Sequence, residues 1–384
     1  MIDRQFYLSQ ITNHLRVHKV CALLGPRQCG KTTLARQYAQ SYTDKVFTFD
    51  LENPEDVNAL QNPLRTLENL EGLIVIDEIQ RMPDLFPLLR YLVDQGKSRF
   101  LILGSASRDL IRQSSETLAG RIGYIELTPF SLMEGCDESK LIIRGGFPDS
   151  YLAQTDEDSA LWRKSYIRTF LERDIPELGF KVPPMMLQRF WMMLSHYHGQ
   201  LLNMDQIGKS LSISGHTARH YLDILVGTFM IRLLLPWFEN THKRQIKSPK
   251  LYIRDVGLMN TLSRLDSQEE LLTHPLRGAI WEGFALEQII QYFKLDPEEA
   301  FFWRTQNGAE LDLLVFRHGK RYGFEFKFGD APSTTKSMHI ALEDLKLEHL
   351  YVIYPGQRSY PLLEKITVVN LNTFIATSQL MPNF

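Results

Sequence analysis

Cysteine is scarce. The 384 residues hold only three, Cys21, Cys29 and Cys136, and their spacing fits no metal-ligand pattern. A disulfide framework and a zinc ribbon are therefore excluded. Cys29 lies in a loop that a disulfide would obstruct, so a reduced, cytoplasmic setting is expected. Long apolar runs are lacking too. No stretch approaches about 18 consecutive apolar residues, and Met1-Ile2-Asp3-Arg4-Gln5 opens no basic-then-apolar leader, so neither a membrane span nor a signal peptide is expected. Internal repeats and low-complexity linkers are missing, which excludes a solenoid. Charge of one sign is not in excess either: 43 Lys and Arg oppose 45 Asp and Glu, a net charge of −2. A protein basic all over is excluded, and any nucleic-acid contact must come from a local patch. What remains is an ordinary globular composition, 44% hydrophobic and 23% charged, in a chain long enough for roughly two or three domains.

One stretch organises the rest, Leu23-Leu24-Gly25-Pro26-Arg27-Gln28-Cys29-Gly30-Lys31-Thr32-Thr33-Leu34. It satisfies G-x-x-x-x-G-K-[ST] at every required position. An apolar run, residues 20–24, precedes it as a strand, and residues 32–40 follow as a helix, which is the context the motif needs. Gly25 and Gly30 let the backbone of Pro26, Arg27, Gln28 and Cys29 curl so that its N–H groups face phosphate oxygens. The helix beginning at Lys31 adds its positive dipole end. Lys31 is placed to reach the β- and γ-phosphates of ATP, and the Thr32 hydroxyl to hold Mg²⁺, with Thr33 the last residue of the nucleotide-binding stretch.

Residues 1–150 form the first expected domain. Val46-Phe47-Thr48-Phe49-Asp50-Leu51 reads as a second strand. Gly72-Leu73-Ile74-Val75-Ile76-Asp77-Glu78 is a near-continuous apolar run, as in a strand buried on both faces of a parallel sheet. Its two terminal acids lie where open α/β sheets place ligands. Asp77 would hold Mg²⁺ through water, and Glu78 would orient and deprotonate the attacking water. Phe100-Leu101-Ile102-Leu103-Gly104-Ser105-Ala106-Ser107 ends a further strand in small polar residues. Ser105 would bond the γ-phosphate or the lytic water, and turn chemistry explains it equally well. Of Arg108, Arg112 and Arg121, Arg121 is the candidate for stabilising transition-state charge, in cis or from a neighbouring subunit of a homo-oligomer.

The stretches Gly25-Pro26-Arg27-Gln28-Cys29-Gly30-Lys31-Thr32-Thr33, Ile76-Asp77-Glu78-Ile79-Gln80, Gly104-Ser105-Ala106-Ser107 and Leu118-Ala119-Gly120-Arg121 resemble a widespread prokaryotic ATPase family of the AAA+ class. The resemblance covers nearly the whole chain. It implies that the ATPase is followed by a C-terminal region related to PD-(D/E)xK nucleases. Cys29 departs from the family, which usually has a small apolar residue there. Only its backbone should face phosphate.

In the middle region, residues 151–255, residues 166–175 read as a helix that Pro176 should end or kink. Similar arginine-and-aspartate segments recur in the family as a connector, and no chemistry is assigned to Asp174. Residues 185–235 look like a winged helix-turn-helix, with residues 215–226 as its third helix. In a DNA reader His216, Thr217, Arg219 and His220 would face the major groove. Lys243, Arg244, Lys247, Lys250 and Arg254 follow without an acid between them. If all met phosphates, affinity would fall with salt at a log–log slope of about −4 to −5.

The last region, residues 256–384, pairs Glu310-Leu311-Asp312-Leu313-Leu314-Val315-Phe316 with Tyr322-Gly323-Phe324-Glu325-Phe326-Lys327-Phe328. A two-residue loop at His318-Gly319 pairs Arg317 with Lys320, sets Asp312 opposite Glu325 and Glu310 opposite Lys327. Two adjacent carboxylates repel each other unless a cation lies between them, so this register predicts a Mg²⁺ or Mn²⁺ site. It looks like the PD-(D/E)xK arrangement, with Asp312, Glu325 and Glu282 (or Glu287) around the metal and Lys327 orienting water or stabilising a pentavalent phosphate.

The expected architecture is thus α/β: a P-loop NTPase parallel sheet, a winged-helix module, and a small α/β restriction-endonuclease-like domain. The expected function is Mg²⁺-dependent ATP binding and hydrolysis coupled to a nuclease-like domain directed at DNA or RNA. The alternative is a regulatory ATPase switch whose C-terminal domain is a catalytically silent protein-interaction module.

Overall fold

The strand Val20–Leu24 (β1) is buried along its whole length, as a strand covered on both faces must be. The computed structural model describes residues 2–96, 98–106, 118–239 and 246–377. Ser107, Arg108, Arg112, Lys243 and Arg244 lie outside the described residues. Two compact units emerge. The first comprises residues 1–130, 169–182 and 223–230; the second comprises residues 131–168, 183–222 and 231–384. Divisions expected at 150 and 255 are not where these units part.

In the first unit β1 is joined by Val46–Asp50 (β2), Gly72–Asp77 (β3), Ser98–Gly104 (β4) and Ile122–Glu126 (β5). All neighbours run parallel, in the order β2-β3-β4-β1-β5. Alternate residues of each strand feed opposite layers. Ile74, Ile76 and Phe100 pack with Phe86 and Leu89 of the helix Leu85–Gln95. Leu73, Val75 and Leu101 pack with Ile11 and Leu15 of the helix Gln5–Val17 and with Leu34 of the helix Lys31–Ser41. Each such side chain contributes roughly 1.5–3 kcal/mol. Because β3, β4 and β1 are adjacent and parallel, the loops leaving their C-terminal ends converge on one edge of the sheet.

The second unit is built on one sheet of nine strands: Gln200–Leu201 (β6), Ile231–Pro236 (β7), Lys250–Ile253 (β8), Ala300–Arg304 (β9), Glu310–Arg317 (β10), Lys320–Phe326 (β11), His349–Tyr354 (β12), Tyr360–Leu363 (β13) and Ile366–Asn370 (β14). Their order is β13-β14-β12-β11-β10-β9-β7-β8-β6. Strands expected to belong to two separate modules therefore share one ladder. It is joined where Leu235 and Pro236 of β7 pair with Phe301 and Phe302 of β9. His318 and Gly319, at φ 49° and 75°, make the two-residue turn between β10 and β11. Arg317 pairs with Lys320, and the ladder ends at Leu313–Phe324, one pair short of Asp312 and Glu325. On its other side β10 shifts register against β9 between Leu311 and Leu314, so Asp312 sits at an irregularity.

The 17-residue helix Arg277–Phe293 belongs to the same unit. A Cβ on its Gly283 would lie 2.0 Å from Nε2 of His198. His198 is itself buried, accepts the Ile253 N–H at Nδ1, and has its pKa lowered to about 4 by burial. Gly283→Ala is accordingly expected to destabilise the second unit by about 1–3 kcal/mol through overpacking, measured as a lowered denaturation midpoint.

Candidate functional site

The phosphate-loop residues lie at the C-terminal edge of β1. Pro26 and Cys29 are buried there, Arg27 is partly covered, and Gln28 and Thr33 are exposed. Positive φ at Gln28 (61°) and Gly30 (98°) curls the loop. Gly25 is required sterically, since a Cβ there would stand 2.1 Å from the Leu127 carbonyl oxygen. Cys29 is not aimed at a ligand. Its thiol donates to the Leu127 carbonyl at 3.4 Å, and burial raises its pKa. Arg4 braces the loop from behind, with Nη1 donating to the Cys29 carbonyl at 3.0 Å and Nη2 to the Thr128 carbonyl at 2.7 Å.

Lys31 is 5% exposed, and its ammonium donates to the carbonyls of Gly25 (3.0 Å) and Pro26 (2.9 Å). Among the described residues no carboxylate lies within ion-pair distance of it. A buried ammonium held by carbonyl dipoles alone fits an incoming phosphate, which would supply the missing negative charge. Thr32 Oγ1 donates to Asp77 Oδ2 at 2.6 Å, and Asp77 Oδ1 accepts the Glu78 N–H at 2.9 Å. Two oxygens thus stand side by side at the end of β3, where they could hold Mg²⁺, Asp77 through water. No group of three or more His, Cys, Asp or Glu side chains among the described residues is arranged to hold a metal. Two protein oxygens suit Mg²⁺, which keeps most of its ligands as water and phosphate.

Glu78 adopts the left-handed conformation (φ 54°, ψ 43°), unusual for a non-glycine residue. Its carboxylate is held by Gln80, whose Nε2 donates to it and also to Ser105 Oγ at 3.0 Å. Ser105 Oγ in turn lies 3.5 Å from the same Glu78 oxygen. Sequence reasoning gave Gln80 no role. Its signal was only that it stands two residues beyond Glu78.

Arg121 is placed differently. It precedes β5, and its carbonyl accepts the N–H of Val20, the first residue of β1. The phosphate loop begins at the other end of β1, roughly 13 Å further along at about 3.3 Å per residue. Arg121 instead grips Asp94 with Nε (2.8 Å) and Nη2 (3.2 Å) at the exposed surface. Topology thus sets it away from its own phosphate loop.

In the second unit, Asp312, Glu325, Lys327 and Glu282 do cluster. Lys327 Nζ lies 2.8 Å from Glu325 and 3.8 Å from Asp312. Glu282 accepts the Phe328 N–H at 3.4 Å. Glu287 is spent elsewhere, ion-paired with Arg232 and, at 3.6 Å, with Arg254. One premise for a metal fails, however. The carboxylate couple is not unpaired, because Lys250 of β8 reaches Asp312 at 3.1 Å and also pairs with Glu310. Glu310 faces Lys250 and Arg304 rather than Lys327. The cation inferred from repulsion is a buried lysine, 4% exposed. Burial pushes Glu325 up to about 8, reinforced by the neighbouring Asp312 charge. Burial also pushes Asp312 up, but Lys250 and Lys327 more than offset it and leave its pKa lowered. The neighbouring carboxyls are thus pushed apart, Glu325 upward by burial and Asp312 downward by its two lysines.

The basic stretch is also reassigned. Lys250 and Arg254 are engaged in these internal ion pairs, and only Lys247 is exposed among its described members. Two of the five cations are thus withdrawn from any phosphate contact. His216, Arg219 and His220 are exposed and Thr217 is partly so, on the helix Gly215–Gly227. Ser214 Oγ accepts the Thr217 N–H at that helix's start.

A AAA domain model matches residues 17–136, and two domains of unknown function match residues 137–269 (DUF8612) and 277–374 (DUF4143). The chain is 45% identical over 381 residues to the uncharacterized proteins Rv2008c of Mycobacterium tuberculosis and Mb2031c of Mycobacterium bovis, covering 98% of this chain and 86% of theirs. Among solved structures, the Walker-type ATPase PABY2304 of Pyrococcus abyssi is similar to it at 15% identity, with 68% of this chain and 96% of that one covered and a TM-score of 0.47. No described helix is long and apolar enough to cross a membrane. With 45% identity over 98% of its length, the chain belongs to the family of these mycobacterial proteins, with a AAA-class P-loop domain at residues 17–136 followed by regions that match domains of unknown function.

Proposed function

We propose that the first unit binds Mg²⁺-ATP on residues 25–33 and hydrolyses it, and that the cycle works a switch for a catalytically silent second unit. The observation that carries the ATP reading is the buried Lys31 ammonium, held by carbonyls at 2.9–3.0 Å with no carboxylate beside it among the described residues. Thr32 and Asp77 would hold Mg²⁺, which neutralises charge developing on the phosphates. Glu78 takes the proton of the attacking water, and Gln80 and Ser105 fix its carboxylate. Lys31→Ala tests this reading. Nucleotide binding, followed by fluorescence of a labelled ATP, should be lost, and unchanged binding refutes it.

Arg121 completes the site from a neighbouring copy. Its position beyond the opposite end of β1 favours that source. Arg121→Ala should lower hydrolysis about 10³-fold or more. Mixing it with Lys31→Ala should restore activity, because each variant supplies what the other lacks. No recovery on mixing would exclude a shared site.

The silent reading of the second unit rests on Lys250 occupying the charge centre of the acid cluster. A second reading, metal-dependent nucleic-acid cleavage, draws on the meeting of Asp312, Glu325, Lys327 and Glu282. The order helix Pro184–Ser195, β6, helix Met204–Ser210, helix Gly215–Gly227, β7, β8 supports a winged-helix module with His216, Arg219 and His220 outward. DNA or RNA contact through that helix belongs to this second reading. Mg²⁺- or Mn²⁺-dependent cleavage of single- or double-stranded DNA or RNA, lost in Glu325→Ala, would establish it over the first.

A further inference from the structure

We infer that Asp174 and Glu177 form a latch on the phosphate loop through Arg27, and that nucleotide binding opens it. The inference rests on the ATP reading above. Arg27 stands inside the loop, yet its guanidinium faces carboxylates. Nη1 donates to Asp174 Oδ1 and Glu177 Oε2, both at 2.8 Å, and Nη2 donates to Glu52 Oε1 at 2.7 Å. Two more arginines close the network. Arg81 lies 3.3 Å from Glu52 and 3.2 Å from Glu177, and Arg173 lies 2.9 Å from Glu177. Three cations thus balance three anions, with the Glu78 charge acting on both Arg27 and Asp174.

Asp174 lies 147 residues beyond Arg27 in the chain. It belongs to the segment 169–182, which packs in the first unit although the residues before and after it in sequence belong to the second. The segment opens with a π-helical turn, Phe170–Asp174, a geometry frequent at functional sites. Phe170, Leu171 and Ile175 are each at most 2% exposed, and Leu178 packs on the core that contains Ile76 and Phe86. Apolar packing therefore keeps the segment on the first unit, while the ion pairs at Asp174 and Glu177 hold its last turns, which loosen when the pairs are lost.

An arginine fork suits carboxylate and phosphate equally well. Phosphates brought to the loop add negative charge beside Arg27 and compete with Asp174 and Glu177 for it. Asp174 is the weaker holder, because burial pushes its pKa up to about 6 against the pull of Arg27. Nucleotide occupancy thereby reaches the helices Asp156–Thr169 and Pro184–Ser195 that continue the chain on either side of the segment. Linkage makes the effect reciprocal: whatever opens the latch must tighten nucleotide binding by the same factor.

The experiment combines Asp174→Asn with Glu177→Gln in the full chain. It measures affinity for a non-hydrolysable ATP analogue together with hydrogen exchange of residues 170–178. In the wild type, the analogue should raise exchange in this segment. The double variant should show raised exchange without nucleotide, no further rise with it, and analogue binding roughly 5- to 150-fold tighter. Binding unchanged or weakened in the folded variant overturns the latch. Wild-type exchange unmoved by a bound analogue does the same while leaving the ATP reading intact. Failure of the wild type itself to bind the analogue, like Lys31→Ala, overturns both.

Discussion

Replacing Glu78 by Gln should leave ATP binding intact while lowering hydrolysis by about 10²–10⁴-fold, the usual contribution of a positioned general base. The amide keeps the size of the side chain and can still meet Ser105, but it has no basic oxygen to accept a proton. Binding should survive because Lys31, Thr32 and Asp77 are untouched, and their contacts do not involve the Glu78 side chain. The backbone makes the role specific. A left-handed glutamate costs on the order of 1–3 kcal/mol, and such conformations cluster where a side chain must be aimed. Single-turnover hydrolysis with saturating ATP reads the chemical step. A loss smaller than about tenfold would mean that Glu78 only shapes the loop. Gln80→Ala gives a graded control, since it keeps the base and removes the donor that holds it.

Lys250→Met should produce the largest change in stability. Removing one partner of a buried ion cluster costs about 3–5 kcal/mol, because the half-buried Asp312 and Glu310 lose their one buried cation and keep only the longer contacts to Lys327 and Arg304. For a unit of this size the thermal midpoint should drop by on the order of 10 °C. The informative arm is metal. With the ammonium gone, the acid cluster becomes a site for a hard divalent cation, so millimolar Mn²⁺ should raise the variant's midpoint and leave the wild type's unmoved. Equal stabilisation of both proteins would show that Lys250 is not the resident cation, and would favour the cleavage reading.

The ATPase unit was legible because its signals are local. A phosphate loop, the strand before it and the helix after it occupy consecutive residues, and β3 reads as a buried strand ending in Asp77 and Glu78. What stayed hidden depends on residues far apart in the chain. Lys250 meets Asp312 across 62 positions, and nothing in either neighbourhood announces the pairing. Glu282 and Glu287 share one helix, and only the fold directs one to the Phe328 N–H and the other to Arg232. The hairpin turn and its first pairs follow from His318-Gly319, whereas the end of the ladder before Asp312 follows from a shift against β9. Arg121 was recognisable as a candidate, but its distance from the loop needed the direction of β5.

The shared sheet of the second unit bears on how such a chain can be cut or recombined. The residues that match two domains of unknown function contribute to one ladder, with β6, β7 and β8 on one side of the junction and β9 to β14 on the other. A fragment starting at residue 256 would keep Asp312 and Glu325 but lose Lys250. It would also bare the edge of β9 at Phe301 and Phe302, an apolar template for pairing with other chains. Gene fusions and truncations that separate the two matches should therefore yield aggregation rather than an independent module, and the pair should pass between genomes as one heritable piece.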